Sequence, residues 1–198
     1  MNSETIKIIG IPGSLRKNSY NKYLIMNMFE MLPENAESEI LDLNGVPIYN
    51  QDEEPNAPYS VNLIRKKVRD ADLIFISTPE YNHAISGVLK NAIDWLSRPP
   101  SQSPFAWKTV AVLSASTGSI GGARAQEDLR RILEPLGAIV VPRPEVILTN
   151  ADKKFDNNGH LVDQEARKLM AELLQNSIRL SLAIKNSMHE QFALRLLT

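Results

Sequence analysis

Residues 6–32 read IKIIGIPGSLRKNSYNKYLIMNMFEML, and the fold follows from how this stretch divides. Residues 6–11 are short, apolar and rich in isoleucine, and they stop at Pro12-Gly13. That pattern predicts a buried strand. From residue 20 to 32 the apolar positions Tyr23, Leu24, Met28 and Met31 or Leu32 recur at helical spacing until Pro33 closes the run. Between them lies GSLRKNSYN (13–21), a polar loop feeding directly into a helix N-terminus. Strand, polar loop and helix form the first half of a βαβ unit.

The same alternation continues outward. A more polar strand is predicted over 39–43, followed by an irregular connection over 44–59 rich in proline and acids. A connection of that length in a compact domain points to a functional or interfacial role. Residues 61–70 read as a helix and 72–77 (DLIFIS) as a central strand. Residues 86–96 carry Val88, Leu89, Ala92, Ile93 and Leu96 on one helical face. Residues 109–114 give another buried strand, and 121–136 an amphipathic helix ending at Gly137. A fifth strand starts at 138–141 and is expected to continue irregularly past Pro142 and Pro144 to 148. A turn cluster at 156–159 precedes a last helix from 164 to about 185. Five strands alternating with five helices predict one α/β domain, doubly wound on a five-stranded parallel sheet with helices on both faces; the commonest order for a sheet of this size, 2-1-3-4-5, is the one expected. The domain is expected over 1–185. The tail at 186–198, with Phe192, Leu194, Leu196 and Leu197, reads as a helical extension, a docking segment or disordered chain.

Composition removes several classes of function. The chain of 198 residues has no cysteine, which excludes disulfides, thiolate metal sites, iron–sulfur clusters and cysteine nucleophiles. A formal net charge of −1 lacks the basic excess of a nucleic-acid binder. The three histidines, His83, His160 and His189, fall at no metal-ligand spacing, so no metal site is expected. No signal-peptide pattern and no apolar run of about 20 residues occurs, so a cytoplasmic protein without membrane insertion is expected.

In an open α/β sheet of this order, ligands bind outside the carboxyl ends of the strands, where the order reverses between the first and third strands. The loops that follow those strands are GSLRKNSYN and TPEYNH (78–83). The first offers the hydroxyls of Ser14, Ser19 and Tyr20, the Asn21 amide, the Arg16 guanidinium and backbone N–H groups at a helix start, all suited to an anion. It matches neither the Walker loop nor the dinucleotide glycine pattern. A plain reading stays open, in which Ser19 is only a helix cap and Arg16 only a solvated side chain. The second loop, with Pro79, Glu80, Tyr81 and Asn82, sets an aromatic ring and an amide beside the same crevice, suited to a flat heterocycle; a proline turn with an exposed tyrosine is the alternative. A third loop, with Ser114, Ser116, Thr117 and Gly118 and then Gly121-Gly122, permits close backbone approach and would equally suit a tight turn.

Taken together these segments resemble the NADPH-dependent FMN reductase family, which includes flavodoxin-like quinone, azo-dye and chromate reductases. The matching pieces are GSLRKNSYN at 13–21, residues 43–52 with Pro47, Tyr49 and Asn50, PEYN at 79–82, GVLKNAIDWLS at 87–97 and SASTGSIGGARAQ at 114–126. The resemblance implies a flavodoxin-like fold that binds FMN and takes electrons from NADPH or NADH. The small-molecule acceptor it implies is a quinone, free flavin, azo compound or metal oxyanion. It also implies that Ser14, Arg16, Ser19 and Asn21 hold the FMN phosphate, with Tyr20 beside them. Pro79, Glu80, Tyr81 and Asn82 contact the ribityl chain and the ring, largely through backbone groups, and Ser114, Ser116, Thr117 and Gly118 line the ring's other side. Family members often carry glycine where this chain has Thr117 or Ser119. A homodimer or homotetramer is implied, with the loop at 44–52 reaching a neighbour's pocket. The flavin itself carries the redox step in such proteins, so no catalytic side chain is assigned; His83 reads as a surface histidine beside the site. The rival reading is a flavodoxin-type electron carrier or a redox-sensing flavoprotein without substrate turnover.

Overall fold

The computed structural model describes residues 5–195, with side chains through residue 187. Six parallel strands form one sheet: β1 (Ile6–Pro12), β2 (Ala36–Ile40), β3 (Leu73–Thr78), β4 (Thr109–Ala115), β5 (Ile139–Val140) and β6 (Val146–Leu148). Their order is β2-β1-β3-β4-β5, and β6 also pairs with β4, as the 2-1-3-4-5 expectation requires. Four helices connect them, α1 (Tyr20–Phe29), α2 (Tyr59–Asp70), α3 (Gly87–Leu96) and α4 (Ala123–Leu133), and α5 (Gln164–Arg195) follows the last strand. None of the described helices is long and apolar enough to cross a membrane.

The central strands carry apolar side chains on both faces, and the two-residue period assigns each to a layer. Ile9, Ile11, Ile74, Ile76, Val110 and Val112 pack under α2, α3 and α4 through Ile64, Val68, Leu89, Ile93, Leu129 and Leu133. Ile8, Leu73, Phe75, Ala111 and Leu113 face the other way, against Leu24 and Met28 of α1 and Met170 and Leu173 of α5. Each large side chain so buried stabilises by roughly 1.5–3 kcal/mol. At Gly10 an added Cβ would lie 2.3 Å from Cγ2 of Ile25. The bare backbone therefore lets α1 lie close on β1, which fixes where the N-terminus of α1 meets the strand end.

Two elements depart from the sequence expectation. β2 lies at Ala36–Ile40 rather than 39–43. Leu41 and Leu43 are buried; Leu41 still donates its N–H to Gly10 O at 2.8 Å, and beyond it the chain leaves the edge, where Asp42 accepts the Asn44 N–H at 2.9 Å. Burial there reflects plugging of the core's end, whereas AESEI is a polar edge strand with little alternation to read. The fifth strand is two strands: β5 pairs with Thr109 and Val110 and β6 with Leu113 to Ala115. Pro142 and Pro144 between them offer no N–H to a ladder. The last helix runs on to Arg195, in line with the helical-extension reading of the tail. The tail side chains Phe192 and Leu194 lie outside the described side chains, and Leu196 and Leu197 outside the described residues.

Candidate functional site

The loop between β1 and α1 is built rigidly at its ends. Gly13 donates its N–H to Ser77 O at 2.8 Å and accepts from Ser86 Oγ at 2.6 Å, which ties the end of β1 to β3 and to the start of α3. Ser19 is the N-cap of α1; its Oγ accepts from Lys22 N at 3.4 Å, and the residue is buried. Tyr20 stacks on Phe155, ring centroids 5.6 Å apart, so the first turn of α1 is braced from behind by the 155–161 hairpin.

Between these anchors the donors are unspent. Arg16 N donates to Ser14 Oγ at 3.3 Å. Among the described residues no acceptor takes the backbone N–H groups of Leu15, Lys17 or Asn18, nor the Arg16 guanidinium. Tyr20 and Asn21, as the first residues of α1, have no intrahelical partner for their N–H groups, and the first turn holds no acidic residue. Arg16 and Lys17 are exposed. With Ser14, Lys22 and the 40–44 segment they line a cleft of about 360 Å³. Uncommitted N–H groups, a helix's positive end and a free guanidinium thus occur together in this loop, the donor types that suit an anion.

The side chains of Asn21 and Ser114 are both engaged within the fold. Asn21 is 3% exposed; its Oδ1 accepts from Ser77 Oγ at 2.8 Å and Ala115 N at 3.0 Å, and its Nδ2 donates to Ala115 O at 3.0 Å. Its side chain sews α1 to β3 and β4 and does not face the loop. Ser114 is fully buried, its Oγ accepting from Gln126 Nε2 at 2.9 Å. Gly122 (φ 94°) makes this possible, because a Cβ there would come 2.6 Å from that of Ser114. In the same loop Ser116 Oγ accepts from Gly118 N at 3.1 Å, while Thr117 and Gly118 are exposed.

After β3, Thr78 Oγ1 donates to Pro79 O at 2.8 Å. Tyr81 and Ala84 then exchange both backbone hydrogen bonds, at 3.1 and 3.0 Å. The two residues between them, Asn82 (φ 51°) and His83 (φ 66°), are both left-handed, as the central pair of a type I′ turn must be. Asparagine and histidine are among the non-glycine residues that enter this region most readily. Because Tyr81's N–H and C=O are spent on Ala84, it has its ring, 55% exposed, to offer a ligand. Asn82 and His83, both exposed, keep their backbone groups. The Glu80 carboxylate is also spent: Oε2 accepts from Arg124 N at 3.1 Å and Ala125 N at 3.4 Å, and Oε1 faces Arg124 Nη1 at 3.4 Å. It therefore caps α4, which follows the glycine-rich loop, and that second helix N-terminus is closed to an anion while that of α1 is open.

The motif at 87–97 finds its use beside the site. Asn91 Nδ2 and Trp95 Nε1 both donate to Pro47 O, at 2.8 and 2.9 Å, and Tyr49 N donates to Asn91 Oδ1 at 2.7 Å. Tyr49 also sets its ring edge-on to Trp95 at 5.1 Å and donates its hydroxyl to Glu54, which holds the phenol above its ordinary pKa. The long connection is thus fastened to α3. Sequence reasoning passed over Ser77, Gln126 and Asp128, which hold these loops from other elements; nothing in their local pattern marks them.

A doubly wound parallel domain in this strand order, with uncommitted donors and an exposed aromatic in the loops at the switch point, defines a flavodoxin-like protein. The family model described as NADPH-dependent FMN reductase matches residues 6–153, and the chain belongs to that family. It is 44% identical over 174 residues to an NAD(P)H-dependent FMN reductase of Pseudomonas aeruginosa, covering 87% of this chain and 94% of that one. It is 40% identical over 166 residues to the quinone reductase of Escherichia coli K12, covering 82% and 88%. Among solved structures, the flavoenzyme NAD(P)H:(acceptor) oxidoreductase FerB of Paracoccus denitrificans superimposes with a TM-score of 0.83 at 29% identity, over 90% of this chain and 98% of that one.

Proposed function

We propose that this chain is an FMN-dependent oxidoreductase that takes electrons from NADPH or NADH and delivers them to a small acceptor: a quinone, a free flavin, an azo compound or a metal oxyanion. The observation that carries the reading is the contrast between the two helix N-termini at the crevice. That of α4 is filled by the Glu80 carboxylate, whereas that of α1 has free N–H groups, no acid in its first turn and the unpaired Arg16 beside it. The donor set fits a phosphate monoester. Ser14, Arg16 and the N–H groups from Leu15 to Asn21 would hold the FMN phosphate, with Ser19 shaping the turn. Tyr81, Asn82, Thr117 and Gly118 would meet the ring, and Pro79 and Ser116 set their backbones. When bound, FMN supplies the electron transfer, so the side chains here have to bind, orient and exclude water rather than act as acid, base or nucleophile. A cytoplasmic setting belongs to the same reading.

The test is a visible spectrum of the protein after incubation with FMN and desalting, before and after anaerobic NADPH. A retained flavin band that bleaches promptly is the expected result. A retained band that NADPH leaves unchanged would overturn the enzyme in favour of a carrier or sensor, and no retained band would overturn FMN binding itself.

The same site is proposed to lie at the contact between two copies of the chain, as a homodimer or a homotetramer of two such dimers. The 44–58 connection is fastened to α3 yet turns Ile48 outward at 82% exposure, with Tyr59 at 81% just beyond it. A rigid loop presenting large apolar side chains is a surface suited to burial. Sedimentation velocity on the wild type is expected to give a dimer or tetramer, and Ile48→Asp a smaller species. A monomeric wild type would remove the oligomer from the proposal.

A further inference from the structure

The hairpin after β3 is held at both ends by carboxylates that meet α4 within one turn. At its entry Glu80 accepts from Arg124 N and Ala125 N, and at its exit Asp128 Oδ2 accepts from Ile85 N at 3.2 Å. Asp128 Oδ1 is itself fixed by Arg131 Nη2 at 2.8 Å. Both side chains are withdrawn from water, 12% exposed for Glu80 and 16% for Asp128. Arg124 and Asp128 stand four residues apart, on one face of the helix. The N-cap of α4, Gly122, has no side chain to cap with, so Glu80 supplies from another loop the bonds to the second and third helical N–H groups that a cap residue normally makes. Between the two brackets sits the left-handed pair Asn82 and His83, a backbone conformation uncommon outside glycine.

We propose that Glu80 and Asp128 are positioning residues that dock the Tyr81–Ala84 hairpin on α4, and so set how the ring of the flavin is held while leaving its phosphate untouched. This rests on the FMN reading above. α4 begins where the loop after β4 ends, so the two brackets also fix the walls on either side of the ring relative to one another. A carboxylate accepting charge-assisted hydrogen bonds is about twice as strong an acceptor as an amide. Glu80→Gln and Asp128→Asn keep the shape of the side chains while weakening the brackets.

The experiment uses the two variants separately, with FMN and with riboflavin, which lacks the phosphate, as probes. Each variant is expected to lose about tenfold in affinity for both flavins, by the same factor, and to shift the midpoint potential of bound FMN. In the ligand-free protein, amide hydrogen exchange at Tyr81 and Ala84 is expected to speed up in both variants, with the amides of β3 and β4 still protected. A loss confined to FMN, or unchanged exchange at Tyr81 and Ala84, would overturn the proposal. If the wild type bound no FMN, the flavin reading would fall instead, and the exchange measurement would still decide whether the brackets hold the hairpin.

Discussion

Arg16→Ala is expected to weaken FMN binding by about 10- to 100-fold and to leave riboflavin binding unchanged. A hydrogen bond to a charged group is worth roughly 1.5–3 kcal/mol, and every 1.4 kcal/mol is about tenfold in affinity. The Arg16 side chain makes no other bond among the described residues; only its backbone N–H is engaged, to Ser14 Oγ, and alanine keeps that. The fold therefore loses nothing, and the melting temperature of the ligand-free protein is expected to stay within about a degree. Arg16→Lys should fall between, since an ammonium keeps the charge without the planar fork that matches two phosphate oxygens. Titration of the ligand-free protein with both flavins makes the check. An unchanged FMN affinity would take Arg16 out of the phosphate cradle, and an equal loss for riboflavin would place it at the ring.

That prediction uses what the sequence made legible. The 6–32 stretch announces strand, anion loop and helix because each obeys a local rule: β-branched burial, uncommitted polar groups, apolar spacing. Alternation of strands and helices announces the doubly wound parallel sheet, and the 2-1-3-4-5 order, the commonest for five strands, is the one observed. What the sequence hid are bonds made across the fold. Asn21, Ser114 and Glu80 have the residue types of ligand-binding groups and sit in the right loops, yet their side chains are spent on Ala115, Gln126 and the α4 N-terminus. A hydrogen-bonding residue beside a crevice looks the same in sequence whether it faces the ligand or the neighbouring strand. Asn82-His83 was hidden for another reason: the type I′ signal is Asn-Gly, and histidine in the second place conceals the turn. The bonds from Asn91 and Trp95 to Pro47 join segments some 45 residues apart, beyond any local pattern.

Asn21 gives the sharpest separation between a binding role and a building role. Asn21→Ala is expected to lower the melting temperature of the ligand-free protein on the order of 10 °C. The amide joins three buried groups, Ser77 Oγ, Ala115 N–H and Ala115 C=O, at the ends of the two central strands. Its removal leaves them without partners where the side chain is 3% exposed. Each buried group so stranded costs about 1–3 kcal/mol, less where a hydroxyl can turn to a new acceptor. For a chain of this size 1 kcal/mol moves the midpoint by roughly 2–4 °C. Asn21→Asp tests the donor separately. It keeps both bonds accepted by Oδ1 but turns a carboxylate oxygen toward Ala115 C=O in place of an N–H, so above the pKa of that acid it is expected to be no more stable than the alanine variant. Had the Asn21 side chain served as a phosphate ligand, alanine would weaken FMN binding and spare the ligand-free protein, as Arg16→Ala is expected to do. The geometry demands the reverse order: stability falls first, and FMN affinity falls because the first turn of α1 is no longer held against β3 and β4. Thermal melts of the ligand-free variants beside FMN titrations decide it, and a melting temperature within about 3 °C of wild type would return the Asn21 side chain to the phosphate site.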